Sequence, residues 1–174
     1  MHMVGLPEIA VPYERLILGV KEAIAIFSSI PGMEKQNSGF FTILERGKAP
    51  ITCEIGSCPS DEAEMCKLLS LEKAMRLKQS HDHLLSWESR DPNAMVEGQS
   101  GNKPWGKWGG AVRLGTSIII SFSGLPEMGD EAAMIYAAYD VCWLNDLAVE
   151  SLQRINGNEF IKHFPFSPQK WFNT

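Results

Sequence analysis

Two pairs of short β-rich runs, each closed by a few turn residues, constrain this chain most. FFTILERG and ITCEIG flank Lys48-Ala49-Pro50, and AVRL and SIIISFSG flank Gly115-Thr116. Short runs rich in Val, Ile, Thr and Phe, bounded by Gly and Pro, read as hairpins. Segments of helical period flank and separate them. So few strands must join in one antiparallel sheet with helices laid against it, an α+β architecture. The triplet Ile118, Ile119 and Ile120 marks a central strand covered on both faces.

The helical segments carry their own punctuation. Between Tyr13 and Ile30, Leu16, Val20, Ala23, Ile24 and Phe27 recur on one face, with Pro12 at the start and Pro31-Gly32 at the stop. Ser60 or Asp61, with Glu64 completing a capping box, opens a second helix expected to reach about Trp87. At about 100° per residue, Cys66, Leu69, Ser70, Lys73, Ala74, Leu77, Ser80, His81 and Leu84 then share a stripe. Leu68, Leu71 and Met75 lie on the far side, which calls for a second partner such as another subunit. Asp130 opens a third helix expected to run to about Ile155 and end at Asn156-Gly157, with Met134, Ile135, Ala138, Val141, Cys142, Val149 and Leu152 as its core stripe. Tyr136, Trp143 and Leu147 fall on its other side. The stretch 90–110, rich in Gly, Pro and Asn, is too long for a plain connector, and Trp105 and Trp108 call for partial order in it. The reading is one domain over 1–157 and a tail over 158–174 whose Phe160, Phe164, Phe166, Trp171 and Phe172 dock on the domain or on a neighbouring subunit.

Charge and cysteine content exclude whole classes. Lys and Arg number 16 against 21 Asp and Glu among 174 residues, with no basic run, so neither nucleic acid nor an anionic membrane surface is an expected partner. No apolar run approaches the roughly 18 residues of a membrane span, and the N-terminus lacks a signal-peptide core; a cytoplasmic protein is expected. Cys53, Cys58, Cys66 and Cys142 are too few and too irregular for a disulfide framework, and their spacings are not those of a zinc site. No metal site is expected. No GxGxxG, P-loop or GxSxG occurs, so phosphate cradling and serine-hydrolase chemistry lack support.

What remains is a set of polar and aromatic residues that interrupt apolar patterns. Lys73 and His81, eight residues apart on the expected helix face, are the candidates for acid–base work, with Ser80 beside them. A neutral imidazole ligates haem iron, so His81 is also a candidate axial ligand; the alternative is a satisfied histidine next to a snorkelling lysine. His83 falls off the stripe. Trp105 and Trp108 can stack on a planar ligand that Gly109 and Gly110 let the backbone approach, or the glycines serve turn geometry alone. Ser123 ends a strand where hydroxyls commonly cap a turn. Asp130 and Glu131 stand at a helix N-terminus, where the macrodipole stabilises carboxylates.

Two segments carry a family resemblance. GGAVRLGTSIIISFSGLPEMGDEAAM resembles the hallmark of the GlcG/HbpS-like haem-binding (haem-degrading) superfamily, in which a Gly-Gly strand start leads through a hairpin to a Ser-Gly-Leu-Pro turn and an acidic helix start. GSCPSDEAEMCKLLSLEKAM is similar to the Gly-Thr-x-Pro-Asp motif of its uncharacterised bacterial and fungal branch, which precedes a helix with a basic residue near the place of Lys73. The resemblance covers roughly residues 40 to 140. It implies a profilin-like fold with about five strands flanked by long helices, assembly as dimers or larger rings, and in some relatives binding of haem or of a corrinoid-linked partner.

The first functional expectation is therefore an oligomeric small-molecule-binding protein. Its planar or hydrophobic ligand, haem among the candidates, would lie between Lys73, Ser80 and His81 on one side and Trp105, Trp108, Gly109, Gly110 and Ser123 on the other. A second is a cofactor-independent cyclase, isomerase or dehydratase that uses Lys73 or His81 in the same cleft. A third is an oligomeric interaction module.

Overall fold

The computed structural model describes residues 13–166. The first hairpin forms as β1 (Gly39–Glu45) and β2 (Ile51–Ile55), the second as β3 (Ala111–Leu114) and β4 (Ile118–Ser123). They join in one antiparallel sheet of order β2-β1-β4-β3, with Phe41 opposite both Cys53 and Phe122. β4 is internal, as its three isoleucines require, and Ile119 and Ile120 are buried. The sheet has four strands rather than about five. Where another strand would extend the β3 edge there is a single bridge, Leu85 to Val112, because the chain turns away through a 3-10 turn at Ser86–Ser89.

Side chains alternate across the sheet, so each face recruits its own helices. Phe41, Ile43, Val112, Leu114, Ile120 and Phe122 join a core with α1 (Tyr13–Ser28) and α3 (Glu127–Asp140). Leu44, Ala111 and Ile119 face Ala74 and Leu77 of α2 (Ala63–Gln79) on the other side. Small hydroxyls bring α2 close to the strands. Ser70 Oγ donates to Thr42 Oγ1 at 2.8 Å, and Ser121 Oγ donates to the Ser70 carbonyl at 2.6 Å.

The expected helix boundaries need three corrections. α2 starts without a side-chain cap from Ser60 or Asp61; Glu62 is its N-cap. It stops at Gln79 rather than near Trp87, because Arg113 from β3 reaches its end and donates to the carbonyls of Leu77, Ser80 and His83. A cation there satisfies acceptors that the last turn leaves open. The expected helix from Asp130 to Ile155 is two, α3 and α4 (Asp146–Asn156), broken where Cys142 adopts φ 68° and Asn145 caps α4 by accepting from the Ala148 N–H. Cys142 is exposed instead of belonging to the core stripe.

The loop between the hairpins is folded on itself. Asp91 and Lys107 exchange backbone hydrogen bonds, and Gln99 Oε1 accepts from the N–H groups of Val96 and Trp105. Gly98 lies against Leu68, so part of the far side of α2 finds its cover within the chain. Phe160, Phe164 and Phe166 of the tail pack on Phe27, Tyr136 and Tyr139; Trp171 and Phe172 lie outside the described residues. Residues 129–139 of α3, Tyr136 among them, are consequently buried all round, while Leu147 of α4 is 73% exposed. No helix among the described residues is long and apolar enough to cross a membrane.

Candidate functional site

Lys73 is where the two helical layers meet. Its stem runs under the sheet end, and its ammonium donates to Asp130 Oδ2 at 2.7 Å and to the Phe122 carbonyl at 2.9 Å. Both members of the pair are buried, so each would be costly without the other. Asp130 Oδ1 accepts from the Leu125 N–H at 2.8 Å, which ties the Ser-Gly-Leu-Pro turn to the first turn of α3. Burial lifts the Asp130 carboxyl to about 6, while Lys73 and the N–H groups of Leu125 and Gly124 pull it down. Every strong group here is engaged by another, which describes a clamp more than a reaction centre.

Gly110 explains why the clamp closes. Its φ is +123°, and a Cβ there would stand 2.8 Å from Asp130 Cβ, 2.9 Å from the Phe122 carbonyl oxygen and 3.0 Å from Lys73 Nζ. The backbone approach expected at the Gly-Gly pair is therefore an approach to the Lys73–Asp130 pair. Gly109, its neighbour, sits between Trp87 and Glu127, and its N–H donates to Glu127 Oε1 at 2.8 Å.

His81 stands apart from Lys73. Once α2 ends at Gln79 the stripe no longer continues, and His81 is exposed in the following turn. The imidazole is thus exposed, whereas Lys73 is sealed in the interior. Ser80 is the C-cap of α2, with Oγ donating to the Arg76 carbonyl. His83, expected at the surface, is half-buried, and its carbonyl receives Arg113. Ser123 is buried at the end of β4. Among the described residues no cluster of three or more His, Cys, Asp or Glu could hold a metal ion. Burial pushes the Cys66 thiol up to about 12, so it behaves as a small apolar group.

The remaining expected residues converge with others that the sequence reading passed over. Arg76 donates to the carbonyls of Ser86 (2.6 Å) and Trp108 (2.5 Å), drawing the 3-10 turn and the Gly-Gly strand start together. This sets Trp87, Arg90 and Glu127 beside Gly109. Arg90 lies over the Trp87 ring, 5.7 Å from its centroid, and its Nε is 3.1 Å from Glu127 Oε1. Trp108 Nε1 donates to the Trp105 carbonyl, so Trp108 is held in place. Trp87 Nε1 is buried and has no acceptor among the described residues. The signal for this cluster was Trp87 and Arg90 standing three residues apart, just before Asp91-Pro92. Comparison with known proteins found no family model, no curated protein and no solved structure that matches this chain.

Proposed function

We propose that this chain is a self-associating small-molecule-binding protein of the GlcG/HbpS-like type with a profilin-like fold, and that its ligand is a planar organic acid held at the Trp87–Arg90–Trp108 edge. The observation that carries the reading is the buried Trp87 indole N–H, which has no acceptor among the described residues. Such a donor costs about 1–3 kcal/mol when left unmatched. A ligand carboxylate or carbonyl would satisfy it, Arg90 would supply the complementary charge, and the half-buried rings of Trp87, Trp105 and Trp108 would supply apolar faces. Self-association is supported by the outward Leu18 and Leu147. Lys73 holds the scaffold in this reading and takes no part in chemistry.

Protoporphyrin IX tests the site, because it is planar, carries two carboxylates and contains no iron. Titrating it should quench tryptophan fluorescence in the wild type and at least tenfold more weakly in Arg90→Met and Trp87→Phe. Haemin should bind no tighter than the metal-free macrocycle if iron ligation plays no part. Absence of quenching by either compound would remove the ligand reading. Native mass spectrometry should show dimers or larger species.

A further inference from the structure

Glu131 is a buried carboxyl that the proposed ligand site does not use. It has 0% exposure, yet it stands on α3 directly after the clamp residue Asp130. Its Oε1 accepts from Asn156 Nδ2 at 2.6 Å and from Asn158 Nδ2 at 3.1 Å, whereas Oε2 is buried with no partner among the described residues. Asn158 is the pivot of the C-terminal segment. Its amide also donates to the Met128 carbonyl, and its Oδ1 accepts from the Phe160 N–H to start the 3-10 helix Glu159–His163. Beyond that pivot Phe160 stacks on Phe27, with centroids 5.0 Å apart, and Phe164 on Tyr136 at 5.3 Å. The segment 156–166 is thus fastened to α3 at the Glu131 carboxyl oxygen and the Met128 carbonyl, and then seals an aromatic face.

The charge state of that carboxyl decides how well the fastening suits the interior. The charged groups bearing on it are both acidic: Glu127, one turn earlier on α3, and Glu88 in the 3-10 turn Ser86–Ser89. Arg90 is engaged with Glu127, and the C-terminal side presents the neutral amides of Asn156 and Asn158. A neutral carboxyl keeps both amide hydrogen bonds through its carbonyl oxygen. A carboxylate keeps them too, but leaves a negative charge in a dry site with two like charges near it.

We propose that Glu131 is a proton-operated latch: when protonated it holds the segment 156–166 closed over the aromatic face of α1 and α3, and when ionised it favours release of that segment so that water reaches the carboxylate. Burial raises the carboxyl from 4.5 to about 7 against the pull of the two asparagines. Because the closed state binds the proton more tightly, closure is strongest below the open-state value, weakens as pH rises and levels off above the closed-state value. Between pH 5.5 and 7.5 the opening equilibrium should increase about 20-fold on those two values.

Hydrogen exchange read amide by amide, corrected for the intrinsic pH dependence of exchange, tests the latch. In the wild type residues 158–166 should be less protected than β4 at every pH, and their protection should fall about 20-fold from pH 5.5 to 7.5. In Glu131→Gln, which imitates the neutral acid, protection of the segment should stay flat over that range. If the segment and β4 share one level of protection, so that the segment opens only with the whole fold, or if Glu131→Gln shows the wild-type pH dependence, the latch is refuted. Should that variant fail to fold, the carboxyl carbon of Glu131 can be titrated by NMR in the wild type. A midpoint near 7 supports the latch, and one near 4.5 overturns it.

Discussion

Replacing Lys73 with Met separates a structural clamp from a reactive lysine. The methionine fills nearly the same volume, so the loss is chiefly the ammonium and its hydrogen bonds to Asp130 and the Phe122 carbonyl. Hydrogen bonds to a charged group contribute about 1.5–3 kcal/mol each, and removing one member of a buried pair typically costs about 3–5 kcal/mol because the other charge is stranded. Asp130 can escape part of this by taking up a proton. Its carboxyl, already lifted to about 6 beside Lys73, would rise further without it. An acid whose folded-state value is raised loses stability as pH climbs from its unfolded value to its folded one, so the variant sheds stability over a longer span than the wild type. We expect Lys73→Met to cost about 3–5 kcal/mol at pH 7 and about 1 kcal/mol less at pH 5, measured by urea unfolding. Asp130→Asn alone should also destabilise, since it strands the ammonium. The double variant should cost well under the sum of the two, because neither charge remains and the asparagine oxygen still accepts from Leu125. Additive losses, or a single-variant cost below about 1 kcal/mol, would refute the clamp. A folded Lys73→Met protein should still bind protoporphyrin; loss of binding with the fold intact would return Lys73 to the candidate site.

Other positions yield independent checks. Gly110→Ala should cost at least about 2 kcal/mol in urea unfolding, since the left-handed φ is unfavourable to alanine and its Cβ meets backbone and the ion pair. Asn145→Ala removes the side-chain cap of α4 and should cost about 1 kcal/mol, with the loss confined in hydrogen exchange to residues 146–156 if α4 frays locally. Cys142→Gly relieves an exposed positive-φ residue and should raise the thermal midpoint; a drop of several degrees would show that the Cys142 side chain matters. Wild-type stability should fall by on the order of 3 kcal/mol between pH 4.5 and 7 through Glu131, and Glu131→Gln should flatten that slope, as read by urea unfolding at each pH.

Both hairpins, the start of α1 and the buried stripe of α2 from Cys66 to Leu77 were readable from the chain itself. Each depends on residues within four positions of one another, where apolar period and turn chemistry act directly. The central position of β4 followed from three consecutive isoleucines, a composition that only a strand covered on both faces can bury. Even the break between α3 and α4 left a local mark in Asn145-Asp146, a cap and an acidic first turn inside what otherwise reads as one apolar repeat.

Tertiary structure decided the rest, because the deciding partners are distant in sequence. α2 stops where Arg113 caps it, 36 positions beyond Leu77, so the spacing of Lys73 and His81 could not place them in one cleft. Lys73 finds Asp130 57 residues away, and only the antiparallel register that brings Gly110 beside Phe122 opens the gap through which they meet. Periodicity reports which face of an element is apolar. It carries no record of which charged side chain another element will deliver to the end of that face, and that delivery is what pairs Lys73 with Asp130 between the two helical layers.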